Sequence, residues 1–353
     1  MSSPIPHPIL LGRPQGLQAE LLTHGALRRL LAPGLMVNLF PGNELEGGPA
    51  NLWLRRRDAQ GRVQLAPLLG PGSPLAPCVG SQDGDSFAMR GRWQDLALTL
   101  ELRLVPEQTT AFWHLSARNE GGTPCTLNLL LLQDLGLADY GALRLNEYYV
   151  SHYLDLQPLT HERHGVLLAV RQNQAQRGRH PWLLAGSLRR CVRWATDAAQ
   201  VFGHAAHEGL LPAALLEGLP GRRLQHEHAM AALEDQDLVL AAGAQGRTGF
   251  VLHLEAHHPQ ASDATDLERL AALLALPQAV ATLAAGPADG TPAPRPARES
   301  ASLFATAPLL ATRELQPDEI EQFLPGPRRH EEREARDGQG QPGRLLSFFH
   351  AED

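Results

Sequence analysis

The stretch "DLALTLELRLVP" restricts the fold of this chain more than any other. Leu96, Leu98, Leu100, Leu102 and Leu104 alternate with Ala97, Thr99, Glu101 and Arg103. Strand side chains point alternately to opposite faces. Period two over this run therefore predicts one leucine face on a core and one polar face toward water. "TTAFWHLSA" follows, then a turn signal (Asn-Glu-Gly-Gly, 119–122), then "TPCTLNLLLL". Upstream, "NLWLRRR" and "RVQLAPLL" flank the turn "DAQG" as a hairpin. Downstream, "GVLLAVRQ", "WLLAGSLRRCVRWAT", "HEHAMAALE", "DLVLAAG" and "RTGFVLHLEA" add further strands. Short strands separated by turns predict antiparallel pairing, not βαβ units. Roughly ten or more of them, without intervening helices, indicate a mainly β chain built as a large antiparallel β-sandwich.

The pattern changes at Ser262. "SDATDLERLAALLAL" opens on a Ser/Asp cap with an acidic first turn and continues with apolar residues at helical spacing, until Pro277 interrupts it. "GPADGTPAPRPARES" reads as an extended linker or exposed loop. A short helix is expected near "PDEIEQF". The charged run "RRHEEREARDGQGQPG" comes next, and "RLLSFFHAED" reads as the beginning of a strand. The expected division is a β-sandwich over 1–260 and a helical linker, Pro/Ala-rich loop and truncated terminal segment over 261–353.

Composition excludes several functions. The formal net charge is -7 with no long acidic or basic block, so nucleic acid is not an expected partner. No apolar run reaches the length of a membrane span, and the first residues lack the basic-then-apolar order of a signal peptide; a cytoplasmic location is expected. Cys78, Cys125 and Cys191 are far apart and odd in number. They suit a reducing compartment and form no disulfide framework or CxxC knuckle. All 31 basic residues are arginine. Without lysine there is no Walker A phosphate site and no Schiff base. No GxSxG elbow is present.

All four tyrosines fall within residues 140–153, three of them in "NEYYVSHYLD". A tyrosine ring stacks while its hydroxyl bonds a polar partner, a combination that suits sugars and protein partners alike. Read as a strand, this run sets Tyr149 and Tyr153 on one side and Tyr148 on the other. Asn146 and Glu147 adjoin them. In "VRQNQAQRGRHPWLLAGS", Arg171, Gln172, Asn173, Gln174 and Gln176 crowd a guanidinium and amides beside Trp182. Amides and Arg are multidentate partners for hydroxyls, and an indole offers a stacking face. The plainer readings are a strand edge for the tyrosines and a hairpin loop for the amides. Asp134, Asp139, Glu147 and Asp155 surround the tyrosine run and read as solvated loop acids. Paired glycosidic carboxylates need a separation that spacing in sequence does not fix. His226 and His228 form HxH on an expected strand, but the spacing to Glu234 misses the cupin pattern, and His204 and His207 would join only through the fold. No metal and no cofactor are expected. "GQGQPG" (338–343) matches GxGxxG by letter without the preceding strand a dinucleotide site needs.

Several ordered blocks carry a resemblance. "MVNLFPGNELEGGPANLWLR", "NLLLLQDLGLADYGALRLNEYYVSHYLD", "RQNQAQRGRHPWLLAGSL", "ATDAAQVFG", "LEAHHPQAS" and "LLSFFHAED" resemble the N-terminal region of 1,2-β-oligoglucan phosphorylases. These enzymes are members of the cellobiose-phosphorylase family, glycoside hydrolase family 94; cyclic β-1,2-glucan synthases are more distant. The resemblance runs from about residue 20 to 353. It implies a galactose-mutarotase-like β-supersandwich, then a helical linker, then a catalytic (α/α)6 barrel. It also implies phosphate attack on an anomeric carbon with inversion, and frequent homodimers. Both the general acid and the phosphate ligands lie in the barrel, so no position of this sequence inherits them, and no catalytic residue is expected. The expected role is a non-catalytic part of a glycosyltransferase using phosphate. Its expected partners are a β-glucan oligosaccharide, a barrel region or second chain, and a second copy. The alternative is a stand-alone carbohydrate-binding or interaction protein. The expected sugar-facing residues are Asn146, Glu147, Tyr148, Tyr149, Tyr153, Arg171, Gln172, Asn173, Gln174 and Trp182.

Overall fold

The computed structural model describes residues 8–78, 84–203, 211–225, 228–285, 313, 315–333 and 345–350. Two compact units emerge, residues 1–300 and 301–353.

The first unit is dominated by a fourteen-stranded sheet. One antiparallel half runs in the order Val63–Pro67, Asn51–Arg57, Cys125–Asp134, Ala229–Asp235, Cys191–Asp197. The other runs Gly165–Gln172, Trp182–Ser187, Gln245–Glu255, Thr110–Asn119, Leu96–Leu104, Ser86–Trp93, Leu75–Pro77. A parallel bridge between Gly165 and Cys191 joins the halves. Leu154–His161 pairs with Gly165–Gln172, and Leu238–Leu240 with Cys125–Asp134. Residues 9–36 add a four-stranded sheet.

Both halves send alternate residues into one core. Leu96, Leu98, Leu100, Leu102 and Leu104 meet Leu127, Leu129 and Leu131 from the facing half. The mainly β sandwich expected from the leucine alternation is present. Its outer faces are covered too. Trp182, Leu184, Phe112 and Val251 lie under Leu270 and Leu273 of the helix Glu268–Leu274. Asp263 caps the turn that leads into this helix. Thus the helical segment after residue 260 packs back on the sheet. On the other half, Leu130, Leu132 and Met230 lie under Val201 and Leu215 of two short helices. Strands covered on both faces need no polar alternation, which explains the continuous burial of Trp182–Ser187.

Three expectations are corrected here. The polar face of the leucine strand does not meet water: Thr99 and Glu101 are buried under residues 277–285. Arg103 Nη1 donates to the carbonyls of Pro277 (3.1 Å) and Val280 (2.6 Å), Ser116 Oγ donates to Leu283 O (2.9 Å), and Thr99 Oγ1 to Ala284 O (3.1 Å). His114 Nε2 meets Gln278 O at 2.9 Å. The Glu101 carboxylate accepts from Thr282 N (3.0 Å). Second, helices do interrupt the strands, and the tyrosine run lies on one of them, Tyr140–His152. Third, Asp134 is no solvated loop acid; it is fully buried at the end of its strand.

In the second unit a helix, Pro317–Phe323, precedes the strand Arg328–Arg333, which pairs antiparallel with Leu345–His350. The Pro/Ala-rich stretch 286–300 and the GxGxxG letters at 338–343 lie outside the described residues.

Candidate functional site

The helix Tyr140–His152 begins where Asp139 Oδ1 accepts from Gly141 N (2.9 Å). It is broken at Asn146 (φ -161°, ψ 78°), whose Oδ1 accepts from Tyr149 N (3.1 Å) and so caps the second half. Leu143 and Val150, seven apart, bury one face against Met36, Leu39 and Ala138. The tyrosines are left on the outside, each between 37% and 47% exposed. Tyr149 and Tyr153 do share a side, by helical spacing: their hydroxyls are 2.8 Å apart and their rings meet edge to face at 4.9 Å. Tyr148 lies edge to face with Phe40 at 6.1 Å.

A cleft of about 250 Å³ opens beside this helix. Met36, Leu39, Phe40 and Pro41 form one side; Tyr140, Leu143, Arg144 and Glu147 form the other. Tyr140 and Arg144 follow i, i+4 spacing, and Glu147 follows the break at Asn146. The side chains of Arg144 and Glu147 make no hydrogen bond or ion pair among the described residues. The wall opposite is fixed by Asp134. Its Oδ2 accepts from Leu39 N and Phe40 N (2.9 Å each), and its Oδ1 accepts from Asn38 Nδ2 (3.0 Å). Burial pushes the Asp134 carboxyl up to about 6, against the opposing pull of those donors. His228 meets the Phe40 ring at 5.0 Å, and its Nε2 is buried without a partner among the described residues. Burial pushes this imidazole down to about 4. Its HxH neighbour His226 lies outside the described residues, as do His204 and His207. Among the described residues no three His, Cys, Asp or Glu side chains converge as metal ligands.

The amide-rich segment is brought to the same helix. Asn173 N donates to Tyr153 O (2.9 Å), and Gln176 Oε1 accepts from Asp139 N (3.1 Å). Its members then divide. Gln172 is fully buried and donates to Gly136 O (3.0 Å) and Val150 O (3.2 Å), so it anchors the helix. Gln174 N donates back to Gln172 Oε1 (2.9 Å). Arg171 is held by the carbonyls of His258 (2.8 Å) and Pro259 (3.0 Å) and by Asn173 Oδ1. Trp182 offers no stacking face. His258 stacks on its ring at 5.0 Å, the Arg269 guanidinium lies 4.9 Å from its centroid, and its indole N–H donates to Ser262 Oγ (2.9 Å). An indole on a strand covered on both faces is core. Of the expected residues only Glu147 lines the cleft; Tyr148 touches its Phe40 wall, and Gln172 and Trp182 are buried. Sequence reading missed Phe40 and Arg144. Helical spacing from Tyr140, with Asp139 as its cap, is the signal that points to Arg144.

Residues 20–251 match the family model described as the SOGP N-terminal domain. The chain belongs to that family. The 1,2-β-oligoglucan phosphorylase of Listeria innocua serovar 6a is 29% identical over 258 residues, covering 73% of this chain. The chain spans only 22% of that relative's length. Among solved structures, a galactose mutarotase-like protein from Lactobacillus casei aligns over 70% of this chain and 100% of its own, at 10% identity and TM-score 0.39. A bacterial glucoamylase complexed with acarbose aligns over 77% of this chain and 36% of its own, at 8% identity and TM-score 0.40. The sandwich itself rests on the strand pairing given above. Among the described residues no helix is long and apolar enough to cross a membrane.

Proposed function

We propose that this domain is the non-catalytic β-sandwich part of a glycoside phosphorylase acting on β-1,2-linked glucans, and that the cleft beside Tyr140–His152 holds one sugar unit of the glucan. The observation that carries this reading is a guanidinium and a carboxylate, Arg144 and Glu147, left unpaired among the described residues beside Tyr140 and Phe40, in a chain whose Listeria relative is named for 1,2-β-oligoglucan. Charged groups without protein partners suit multidentate bonding to hydroxyls, and an aromatic edge suits the apolar face of a pyranose ring. At about 250 Å³ the cleft is smaller than the roughly 300–1,000 Å³ of drug-sized pockets. One ring enters, and further rings lie along exposed Tyr148, Tyr149 and Tyr153. Isothermal titration with a β-1,2-linked glucose oligosaccharide tests this against a β-1,4-linked one of equal length. The reading expects saturable heat with the first and weaker heat with the second. Equal binding, or none, contradicts it.

A second reading has its own support. Leu145 is 88% exposed between Tyr140 and Tyr148 on the same helix. An exposed leucine among aromatic residues suits packing against a catalytic barrel or a second copy. Under that reading, adding a separately expressed barrel covers Leu145 and the tyrosines, and Leu145→Glu weakens complementation without weakening sugar binding.

A further inference from the structure

A second hollow, of about 250 Å³, lies between the turn at Pro33–Gly34 and the loop 173–181. Two guanidinia line it, Arg177 and Arg179, and one carboxylate, Asp139. Arg177 Nη2 donates to Asp139 Oδ2 (2.8 Å). Arg179 makes no side-chain hydrogen bond or ion pair among the described residues. The lining thus carries one net positive charge, on a chain whose formal net charge is -7.

The backbone beneath the arginines is strained. Gln176 and Arg179 exchange backbone hydrogen bonds (2.7 and 3.0 Å) around a two-residue turn, with Arg177 at φ 52° and Gly178 at φ 78°. Such turns favour Asn-Gly, Asp-Gly or Gly-Gly, because both central residues need positive φ. Arginine gains nothing there from its backbone; what the position supplies is a guanidinium over the hollow. Across from it Gly34, itself at φ 76°, leaves room: an added Cβ would stand 3.4 Å from Arg177 Nη1.

We propose that this hollow is a binding site for a small tetrahedral oxyanion of the sulfate or phosphate type, taken between Arg177 and Arg179. Planar guanidinium forks bind such oxyanions through paired N–H donors. Asp139 neutralises one arginine and holds it in place, and the unpaired Arg179 supplies the attraction.

Thermal unfolding of the full 353-residue chain, followed against sodium sulfate and separately against sodium phosphate at constant ionic strength, tests the proposal. Sulfate raises melting temperatures generally by exclusion from protein surfaces, so the readout is a saturable rise. The parent should show one with both anions. In Arg179→Gln the half-saturating concentration should rise about tenfold or more, as expected when a charge-assisted hydrogen bond is lost. Arg177→Gly should lose the rise to the same degree, yet melt without anion at or above the parent temperature, since glycine is unstrained at this φ. A non-saturating rise common to parent and variants would overturn the site. So would parent-like saturation in either variant.

Discussion

Asp134 accepts from the Phe40 backbone and His228 meets the Phe40 ring, and burial shifts the two groups in opposite directions. The folded carboxyl of Asp134, raised to about 6, binds a proton more readily than in the unfolded chain. Its stabilising contribution is complete below the ordinary carboxylate range and is lost as pH rises toward and through 6. His228, lowered to about 4, does the reverse: its contribution is present above the ordinary imidazole value and is lost as pH falls toward 4. Between about pH 4 and 6 the two oppose each other. Relative to the parent, His228→Phe should make stability rise more steeply as pH is lowered through this window. Asp134→Asn should make it fall. Asp134→Asn should also cost about 1–3 kcal/mol at pH 7. An amide cannot accept from Leu39 N and Phe40 N and also face the Asn38 Nδ2 donor without leaving a donor unpaired. Urea unfolding at several pH values reads both effects. Parallel pH profiles for parent and variants would remove both groups from the account.

At the scale of elements, the strap 277–285 tests how the outer sheet face is used. Glu101, Arg103, His114, Ser116 and Thr99 hold main-chain groups of the strap, and Glu101 holds the Thr282 hydroxyl as well. Glu101→Ala removes the acceptor for Thr282 N and Thr282 Oγ1. Hydrogen exchange of amides in 277–285 should then quicken about tenfold or more, the factor set by losing charge-assisted bonds worth ~1.5–3 kcal/mol, while the leucine core stays protected. Uniform quickening across the sandwich would show instead that Glu101 supports the core. This strap also marks where sequence reading stops. Leucine alternation gave the inner face of Leu96–Leu104, because period two is a local property. The cover over Thr99 and Glu101 comes from residues some 180 positions later, which no local pattern records. The tyrosine run failed for a different reason. Tyr and Val favour strands, so their local preference outweighed the Asp139 cap and the Leu143/Val150 spacing that tertiary packing selects. Trp182 read as a stacking face because its neighbours in sequence are polar, while its neighbours in space, His258 and Arg269, come from the loop and helix more than 70 positions later.

Across the whole molecule, the sandwich brings two segments that sequence singled out separately, 140–153 and 171–182, against one another. It then assigns them different work. Gln172 and Trp182 anchor, and Tyr140, Arg144 and Glu147 border an open cleft. One relative of the chain is named for an oligoglucan, and the cleft is where the proposed function puts contact with such a ligand. The direct measurement is calorimetric titration of a β-1,2-linked glucose oligosaccharide into the parent chain, Arg144→Gln, Glu147→Gln and the double variant. Both side chains lack partners among the described residues, so stability should stay within about 0.5 kcal/mol of the parent. Affinity should fall about tenfold for each single change, the loss of one hydrogen bond to a charged group, and binding should vanish in the double variant. Parent-like affinity in the double variant, with the fold intact, would contradict a sugar site in this cleft.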